Sequence, residues 1–192
     1  YNPMTRAWRY TSPMKTRRDS AVAGVVDGKL YVAGGNDEDE GTISRMEAYD
    51  PLTQIWEDAP PMSTARESAV AGVIDGKLFV AGGRDDSADV LSSMEVYDPS
   101  TRAWEDAPPM STARVSAVAG VIDGKLFVAG GRDESDGVLS SMEVYDPSTR
   151  AWEDAPPMST VRFSAVAAVI DGKLFVAGGC DGEEEKLSSM EV

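Results

Sequence analysis

The residues best suited to chemistry are carboxylates, which gather in short polar stretches along the chain. The first stretch holds Asp37 to Glu40, and the last holds Asp181 and Glu183 to Glu185. Clustered carboxylate oxygens are the ligands that calcium prefers, but neither stretch has the ligand spacing of an EF-hand loop. We therefore interpret these stretches as solvated surface charge, and we assign no metal ion and no cofactor.

Catalytic residues are hard to find in this sequence. It contains no histidine, the commonest general base and transition-metal ligand. A histidine-free hydrolase would need paired carboxylates in a concave, partly dry site, and no such pair stands out. We expect a non-catalytic protein and assign no catalytic residue. A carbohydrate-active enzyme is the alternative in this class.

The amino-acid composition limits the kinds of binding partner that the chain can have. The 192 residues are 42% apolar, which is enough for a sizeable core in one domain. Eighteen basic and 33 acidic residues give a net charge of −15, which disfavours nucleic acid and anionic membranes and favours a basic protein or peptide. The single cysteine, Cys180, cannot form an internal disulfide. This is typical of a reducing compartment, so we expect a cytoplasmic location.

A repeat positions all of these residues. The nonapeptide DGKLFVAGG starts at Asp75, Asp123 and Asp171, and the variant DGKLYVAGG starts at Asp27, each 48 residues after the last. Four such units account for the 192 residues. A fixed period of this size indicates a solenoid, a propeller or an array.

Each unit predicts four short strands, named a to d. In the third unit, strand a covers Ser116 to Ile122 and is followed by Asp-Gly, the strongest short hairpin signal. Strand b covers Lys125 to Gly131. Strand c covers Leu139 to Tyr145, and strand d covers Arg150 to Met158. Pro156 and Pro157 lack backbone donors, so strand d should lie at a sheet edge and stop there.

The repeat resembles the kelch family. The resemblance is carried by paired glycines after strand b, Tyr-Asp-Pro after strand c and a tryptophan on strand d. It implies an all-β propeller whose blades are four-stranded antiparallel sheets, and the four units predict four blades, whereas kelch rings usually have more, most often six. The repeated glycines and tryptophans are Gly34, Gly35, Gly82, Gly83, Gly130, Gly131, Gly178, Gly179, Trp8, Trp56, Trp104 and Trp152. The units are so alike that recent amplification or engineering is indicated, and the start at Tyr1 in mid-repeat also suggests a trimmed chain.

Closure of the propeller follows from the repeat count. We expect one domain over 1–192, with blades at 15–62, 63–110 and 111–158 and the inner three strands of the last blade at 159–192. The outer strand of that blade would be supplied by 1–14, so that the ring closes within a monomer. Two chains sharing an eight-bladed ring are the alternative.

One face of the propeller is the predicted ligand site. Strand direction places the loops between strands b and c beside those between strands d and a, and sequence differences between the units cluster there. Kelch proteins that recruit other proteins use the residue after the paired glycines and a small polar residue near the start of strand a. The resemblance therefore implies a ligand-binding face formed by Ser20, Asn36, Ser68, Arg84, Ser116, Arg132, Ser164 and Cys180.

Two readings of this face compete with ligand binding. The serines could cap neighbouring backbone groups, and the arginines could neutralise their own loops. In that case the chain would be an amplified or engineered propeller with a purely structural role. A second set of arginines, at Arg18, Arg66, Arg114 and Arg162, is expected to tie blades together through carboxylates or carbonyls rather than to bind ligand.

Overall fold

Short β-strands account for all the regular secondary structure of the chain. The computed structural model describes residues 1–192, and it contains no helix long and apolar enough to cross a membrane. Blade 1 contains β1 (Val22–Val26), β2 (Lys29–Ala33), β5 (Met46–Asp50) and β6 (Ile55–Ala59), with the small pair β3 (Asn36–Asp37) and β4 (Gly41–Thr42) in its b–c loop. Blade 2 contains β7 (Val70–Ile74), β8 (Lys77–Ala81), β9 (Met94–Asp98) and β10 (Ala103–Ala107). Blade 3 contains β11 (Val118–Ile122), β12 (Lys125–Ala129), β13 (Met142–Asp146) and β14 (Ala151–Ala155). Blade 4 contains β15 (Val166–Ile170), β16 (Lys173–Ala177) and β17 (Met190–Glu191).

The predicted hairpin between strands a and b is present in every blade. In blade 3, Asp123 has a φ of 49° and Gly124 a φ of 73°, as a type I′ turn requires. Strand b ends earlier than predicted because Gly130 turns with a φ of 67°. A Cβ atom at Gly130 would lie 2.5 Å from the carbonyl oxygen of Arg162, so only glycine fits this close approach.

The outer strands also follow the sequence signals. β14 is the edge strand of its sheet and stops at Ala155, directly before Pro156, as predicted. Strand c begins at Met142, three residues later than predicted. Strand a begins at Val118 rather than Ser116, because Ser116 has a positive φ of 56° that interrupts the strand.

The core lies between successive blades. The inner strands β1, β7, β11 and β15 contact each other in that order. Between blades 1 and 2, the buried side chains of Val26 and Tyr31 pack with Leu78, Val80 and Tyr97. The same arrangement recurs between blades 2 and 3. Apolar burial between blades therefore holds the sheets together, because each sheet alone is too small to bury its own faces.

Buried arginines tie each connector to the blade that follows it. Arg66 lies in the connector between β6 and β7. Its guanidinium donates to the carbonyl oxygens of Gly82 and Ser93 and to the Glu95 carboxylate at 2.9 Å. Both side chains of the Arg66–Glu95 pair are at most 2% exposed. Equivalent pairs occur at Arg18–Glu47, Arg114–Glu143 and Arg162–Glu191. These arginines thus make the structural contacts predicted for them.

The four-bladed all-β fold is confirmed, but the predicted closure by the N-terminal segment is not formed. Blade 4 has three strands, and no strand of blade 1 contacts one of blade 4. Residues 6–14 form no strand beside β17. They lie against blade 1 instead, where Ser12 donates to the Gln54 carbonyl oxygen and accepts a hydrogen bond from Trp56 Nε1. Residues 1–14 therefore do not complete blade 4 within this chain, and their assignment to the last blade is corrected.

Three of the four tryptophans bridge successive repeats, as expected of a large aromatic between sheets. Trp104 stacks on Tyr97 with ring centroids 5.2 Å apart and donates from Nε1 to the Pro60 carbonyl oxygen of the preceding blade at 2.8 Å. Trp8 is the exception, since 82% of it is exposed.

We predict that Trp104→Ala lowers the free energy of unfolding by about 3 kcal/mol, because the stacking and the buried area are both lost. Trp104→Phe keeps a ring and loses the hydrogen bond, so its cost should be about 1 kcal/mol. Denaturant melts measure both values. Equal, small losses for the two variants would contradict a role in packing between blades.

We predict that Glu143→Gln destabilises the chain by about 3–5 kcal/mol, because it leaves the buried Arg114 cation without its anion. The matched control is Glu153→Gln on the exposed side of β14, which should change stability by less than about 0.5 kcal/mol.

Acid titration provides a second readout of the same pair. Burial alone would raise the pKa of Glu143, but hydrogen bonds from Ser111 and Arg114 outweigh it, and the pKa is lowered. A lowered folded-state pKa adds stability above the unfolded pKa of about 4.3, and this stability is lost as the pH falls through the folded-state value. The difference between wild type and Glu143→Gln should therefore shrink below about pH 4. A constant difference down to pH 2 would contradict this account.

Candidate binding face of the loops

A backbone frame repeated in all four blades builds the predicted ligand face. In each blade, the residue after the paired glycines forms a β-bridge with a residue near the end of the incoming connector. In blade 3, Val115 and Arg132 exchange two backbone hydrogen bonds of 3.0 and 2.9 Å. The other bridges are Asp19–Asn36, Glu67–Arg84 and Phe163–Cys180. Because only backbone atoms make these bonds, the side chains at the eight positions are free to differ, and among equivalent positions only Arg84 and Arg132 are the same.

The four predicted serines lie beside this frame. Ser68 N donates to Ser20 O, Ser116 N to Ser68 O, and Ser164 N to Ser116 O, each at 2.9 Å. All four serines have a positive φ between 50° and 56°. The serines therefore form a chain of backbone hydrogen bonds from blade to blade. This link uses backbone atoms, so it places no demand on the hydroxyl groups.

One carboxylate in each acidic loop caps its own turn. In blade 3, Asp133 Oδ1 accepts from the backbone N–H groups of Ser135 at 2.8 Å and Gly137 at 2.9 Å. Asp37, Asp85 and Asp181 accept in the same way in the other loops. The caps give the loops a fixed conformation and leave the remaining carboxylates exposed.

The two arginines of the predicted face have different surroundings. The Arg132 guanidinium lies 3.8 Å from the centre of the Phe163 ring and pairs with Glu184 of blade 4 at 2.8 Å. Arg84 lines a polar cavity with Asp89, Glu134 and Asp136. Arg132 is therefore engaged within the protein, while Arg84 is surrounded by carboxylates.

The predicted site residues lie along one arc rather than around one closed pocket. Neighbouring positions such as Ser68 and Arg84 are adjacent through the bridges. The first pair, Ser20 and Asn36, and the last pair, Ser164 and Cys180, belong to blades 1 and 4, whose strands make no contact with each other. The structure thus offers an elongated acidic surface over four blades, and it shows no group of three or more potential metal ligands.

The Asp-Pro turns opposite the acidic loops are neutralised within the chain. Lys77 pairs with Asp98 at 2.9 Å, and Lys125 pairs with Asp146 at 2.7 Å. Hydrogen bonds from these lysines and from nearby serines lower the pKa of both aspartates. Asp98 and Asp146 therefore add little uncompensated negative charge to that side of the propeller.

Three features of this face escaped the sequence reasoning. The capping role of Asp37, Asp85, Asp133 and Asp181 could have been found, because an aspartate two residues before a turn is a known signal for an Asx turn. The glutamate that recurs on strand c could also have been predicted from the sequence as the partner of Arg18, Arg66, Arg114 and Arg162. The stacking of Phe163 on Arg132 had no signal, because phenylalanine occupies this position in one unit only.

Comparison with known proteins agrees with this geometry. The blades, their connectors and their loops define a β-propeller of the kelch type. A family profile described as the Attractin/LZTR1 beta-propeller matches residues 1–187, and the chain belongs to this family. The kelch resemblance of the sequence is thereby confirmed.

Many solved structures share this fold. The structure of YjhT is similar to this chain, with a TM-score of 0.69 and 15% sequence identity, over 90% of this chain and 80% of YjhT. In all, 197 chains of solved structures match, so the fold alone does not select a function. No curated protein matches the sequence.

We predict that Asp133→Ala loosens the b–c loop of blade 3, because the N–H groups of Ser135 and Gly137 lose their acceptor. Hydrogen exchange at these two amides should accelerate by at least about tenfold, while the β12 amides stay unchanged. Asp133→Asn keeps an acceptor oxygen and serves as the control. Equal exchange in the alanine and asparagine variants would show that the cap does not hold the loop.

Proposed function

We propose that the chain is a non-catalytic interaction scaffold that binds a basic protein or peptide on its acidic loop face. Kelch-type propellers are commonly protein-interaction scaffolds and are generally non-catalytic. The observation that carries the proposal is the bridge frame described above. Its backbone is the same in every blade, while its side chains vary between blades, with only Arg84 and Arg132 alike, as expected of a rigid support for selective contacts.

Charge supports a basic ligand. Each b–c loop exposes carboxylates that cap no turn, such as Glu38, Asp86, Glu134 and Glu183. The total charge of −15 adds a long-range attraction for cations, which salt weakens over a Debye length of about 8 Å. Binding should therefore be fast and sensitive to salt.

The surroundings of the arginines argue against an acidic ligand. Arg132 already holds Glu184 and the ring of Phe163. Arg84 faces Glu134 and Asp136, which would repel an incoming carboxylate. Neither cation therefore presents an anion site without competition from the chain's own carboxylates.

The pKa values of the carboxyl groups give little support for catalysis. Each carboxyl group with a shifted pKa has it lowered, and each lies in a turn or pairs with a buried arginine: Asp50, Asp98, Glu143, Asp146 and Glu191. A carboxyl group that acts as a general acid needs a raised pKa in an apolar site. The pKa shifts in this chain are therefore explained by structural contacts.

The test compares two variants of equal net charge. The first neutralises one exposed carboxylate in each loop: Glu38→Gln, Asp86→Asn, Glu134→Gln and Glu183→Gln. The second replaces the four hairpin aspartates on the opposite side: Asp27→Asn, Asp75→Asn, Asp123→Asn and Asp171→Asn. Asparagine tolerates the positive φ of these turns, so both variants should fold.

Both variants and the wild type are titrated with a Lys/Arg-rich and an Asp/Glu-rich peptide library at low and moderate salt. We expect capture of basic peptides, weakened at least about fivefold in the loop variant and less than about twofold in the opposite variant. If acidic peptides are captured and the capture is lost in Arg84→Ala, the ligand is acidic rather than basic. Equal weakening by both variants would indicate nonspecific attraction, and no binding to either library would favour a structural role alone.

A further inference from the structure

Two neighbouring junctions of the loop face differ in how their arginine is paired. Where blades 3 and 4 meet, the Arg132 guanidinium pairs with Glu184 at 2.8 Å and lies 3.8 Å from the centre of the Phe163 ring. Where blades 2 and 3 meet, the equivalent Arg84 makes no ion pair and no side-chain hydrogen bond, and its buried Nε has no acceptor. The chain therefore leaves the N–H donors of Arg84 without a partner.

Side-chain length explains the difference between the two junctions. By the 48-residue period, Asp136 occupies the position that Glu184 occupies one blade later. The two residues have the same backbone conformation, with φ of 60° and 62°, so they differ only by one methylene group. Val115 likewise occupies the position of Phe163 and offers no ring to stack on Arg84. The junction of blades 2 and 3 is therefore open where the next one is closed by its own side chains.

The open junction encloses a polar cavity of about 580 Å³, which we call the Arg84 cavity. The guanidinium of Arg84 lines it together with the carboxylates of Asp89, Glu134 and Asp136. None of these three carboxylates forms an ion pair or accepts a hydrogen bond within the chain. The cavity therefore offers unused donors and unused acceptors close together.

This set of charges occurs at one junction only. Where blades 3 and 4 meet, Gly137 and Gly182 take the places of Asp89 and Glu134. Where blades 1 and 2 meet, Asn36 takes the place of the arginine. The Arg84 cavity is therefore a property of particular side chains and not of the repeated backbone.

The unused groups indicate the chemistry of the ligand. Three carboxylates beside one guanidinium favour a cation and disfavour an anion. Arg84 still needs an acceptor, and a neutral carbonyl oxygen is an acceptor that the carboxylates do not repel. A basic residue of a peptide carries both groups, a cation on its side chain and a carbonyl oxygen on its backbone.

We propose that the Arg84 cavity binds one lysine or arginine residue of the peptide ligand. The cation of this residue pairs with Glu134 and Asp136, and its backbone carbonyl oxygen accepts from Arg84, as the Glu184 carboxylate accepts from Arg132. This assignment rests on the proposed function and names the place on the acidic face where a basic ligand is selected.

The first test is an NMR titration of the 192-residue chain with the blocked tripeptide acetyl-Gly-Lys-Gly-amide. The tripeptide should shift the Nε–H resonance of Arg84 and leave that of Arg132 in place. Acetyl-Gly-norleucine-Gly-amide has the same backbone without the cation, so it should bind at least about tenfold more weakly. Equal binding of the two tripeptides would contradict recognition of a cation.

The second test closes the cavity without changing the net charge. In Asp136→Glu the longer side chain should pair with Arg84, and adding Val115→Phe reproduces the residues of the closed junction. We expect the lysine tripeptide to bind at least about fivefold more weakly to both variants. The matched control is Asp154→Glu on the exposed side of β14, which adds the same methylene group and should change binding less than about twofold.

Circular dichroism and denaturant melts establish that the variants are folded, as expected because Glu184 and Phe163 already occupy the same backbone positions in the next blade. Unchanged binding of the lysine tripeptide to Asp136→Glu would overturn the assignment of the cavity. If the basic peptide library binds but the tripeptide shifts no Arg84 resonance, the assignment is wrong while the proposed function stands. If no basic peptide binds at all, both are wrong.

Discussion

The structure depends on the buried arginine at the entrance of each blade. The backbone of Arg66 is bonded to blade 1, through Arg66 N to Ile43 O and Gly35 N to Arg66 O, while its side chain is buried with Glu95 in blade 2. A buried cation is tolerated only with its anion and carbonyl partners in place. The two blades must therefore be in register before the charge can be buried, which makes the junction, rather than the blade, the unit of stability.

The residues that stabilise the junctions are different from the variable residues of the loop face. The junction uses backbone atoms, buried ion pairs and apolar side chains, and all of these lie below the loops. At the loop face, the bridges and the aspartate caps hold the backbone without using the side chains at the variable positions. Val115 and Phe163 can therefore replace Asp19 and Glu67 without altering the frame. The stability of the propeller and the chemistry of its acidic surface are consequently independent of each other.

Local chemistry made much of the fold predictable. The Asp123-Gly124 turn, the end of β14 before Pro156 and the structural role of Arg114 all follow from residue types and the 48-residue period. Closure of the ring could not be predicted in this way, because contact between blades 1 and 4 depends on packing over the whole chain, which the local signals of one unit do not determine. The repeat count therefore suggested a closed ring of four that the packing does not form. The sequence also indicated the loop face, but not that Arg132 is engaged by Phe163, which depends on a contact between blades.

The identity of the three junctions has a consequence for the gene. Inserting or deleting one 48-residue unit would lengthen or shorten the arc by one blade, and each new boundary would reproduce a boundary that the chain already contains. No compensating substitution in the core would be required, since Leu78 and Leu126 occupy equivalent environments. Copy number can then change in single recombination events without passing through misfolded products, whereas most insertions of this length would disrupt a globular domain.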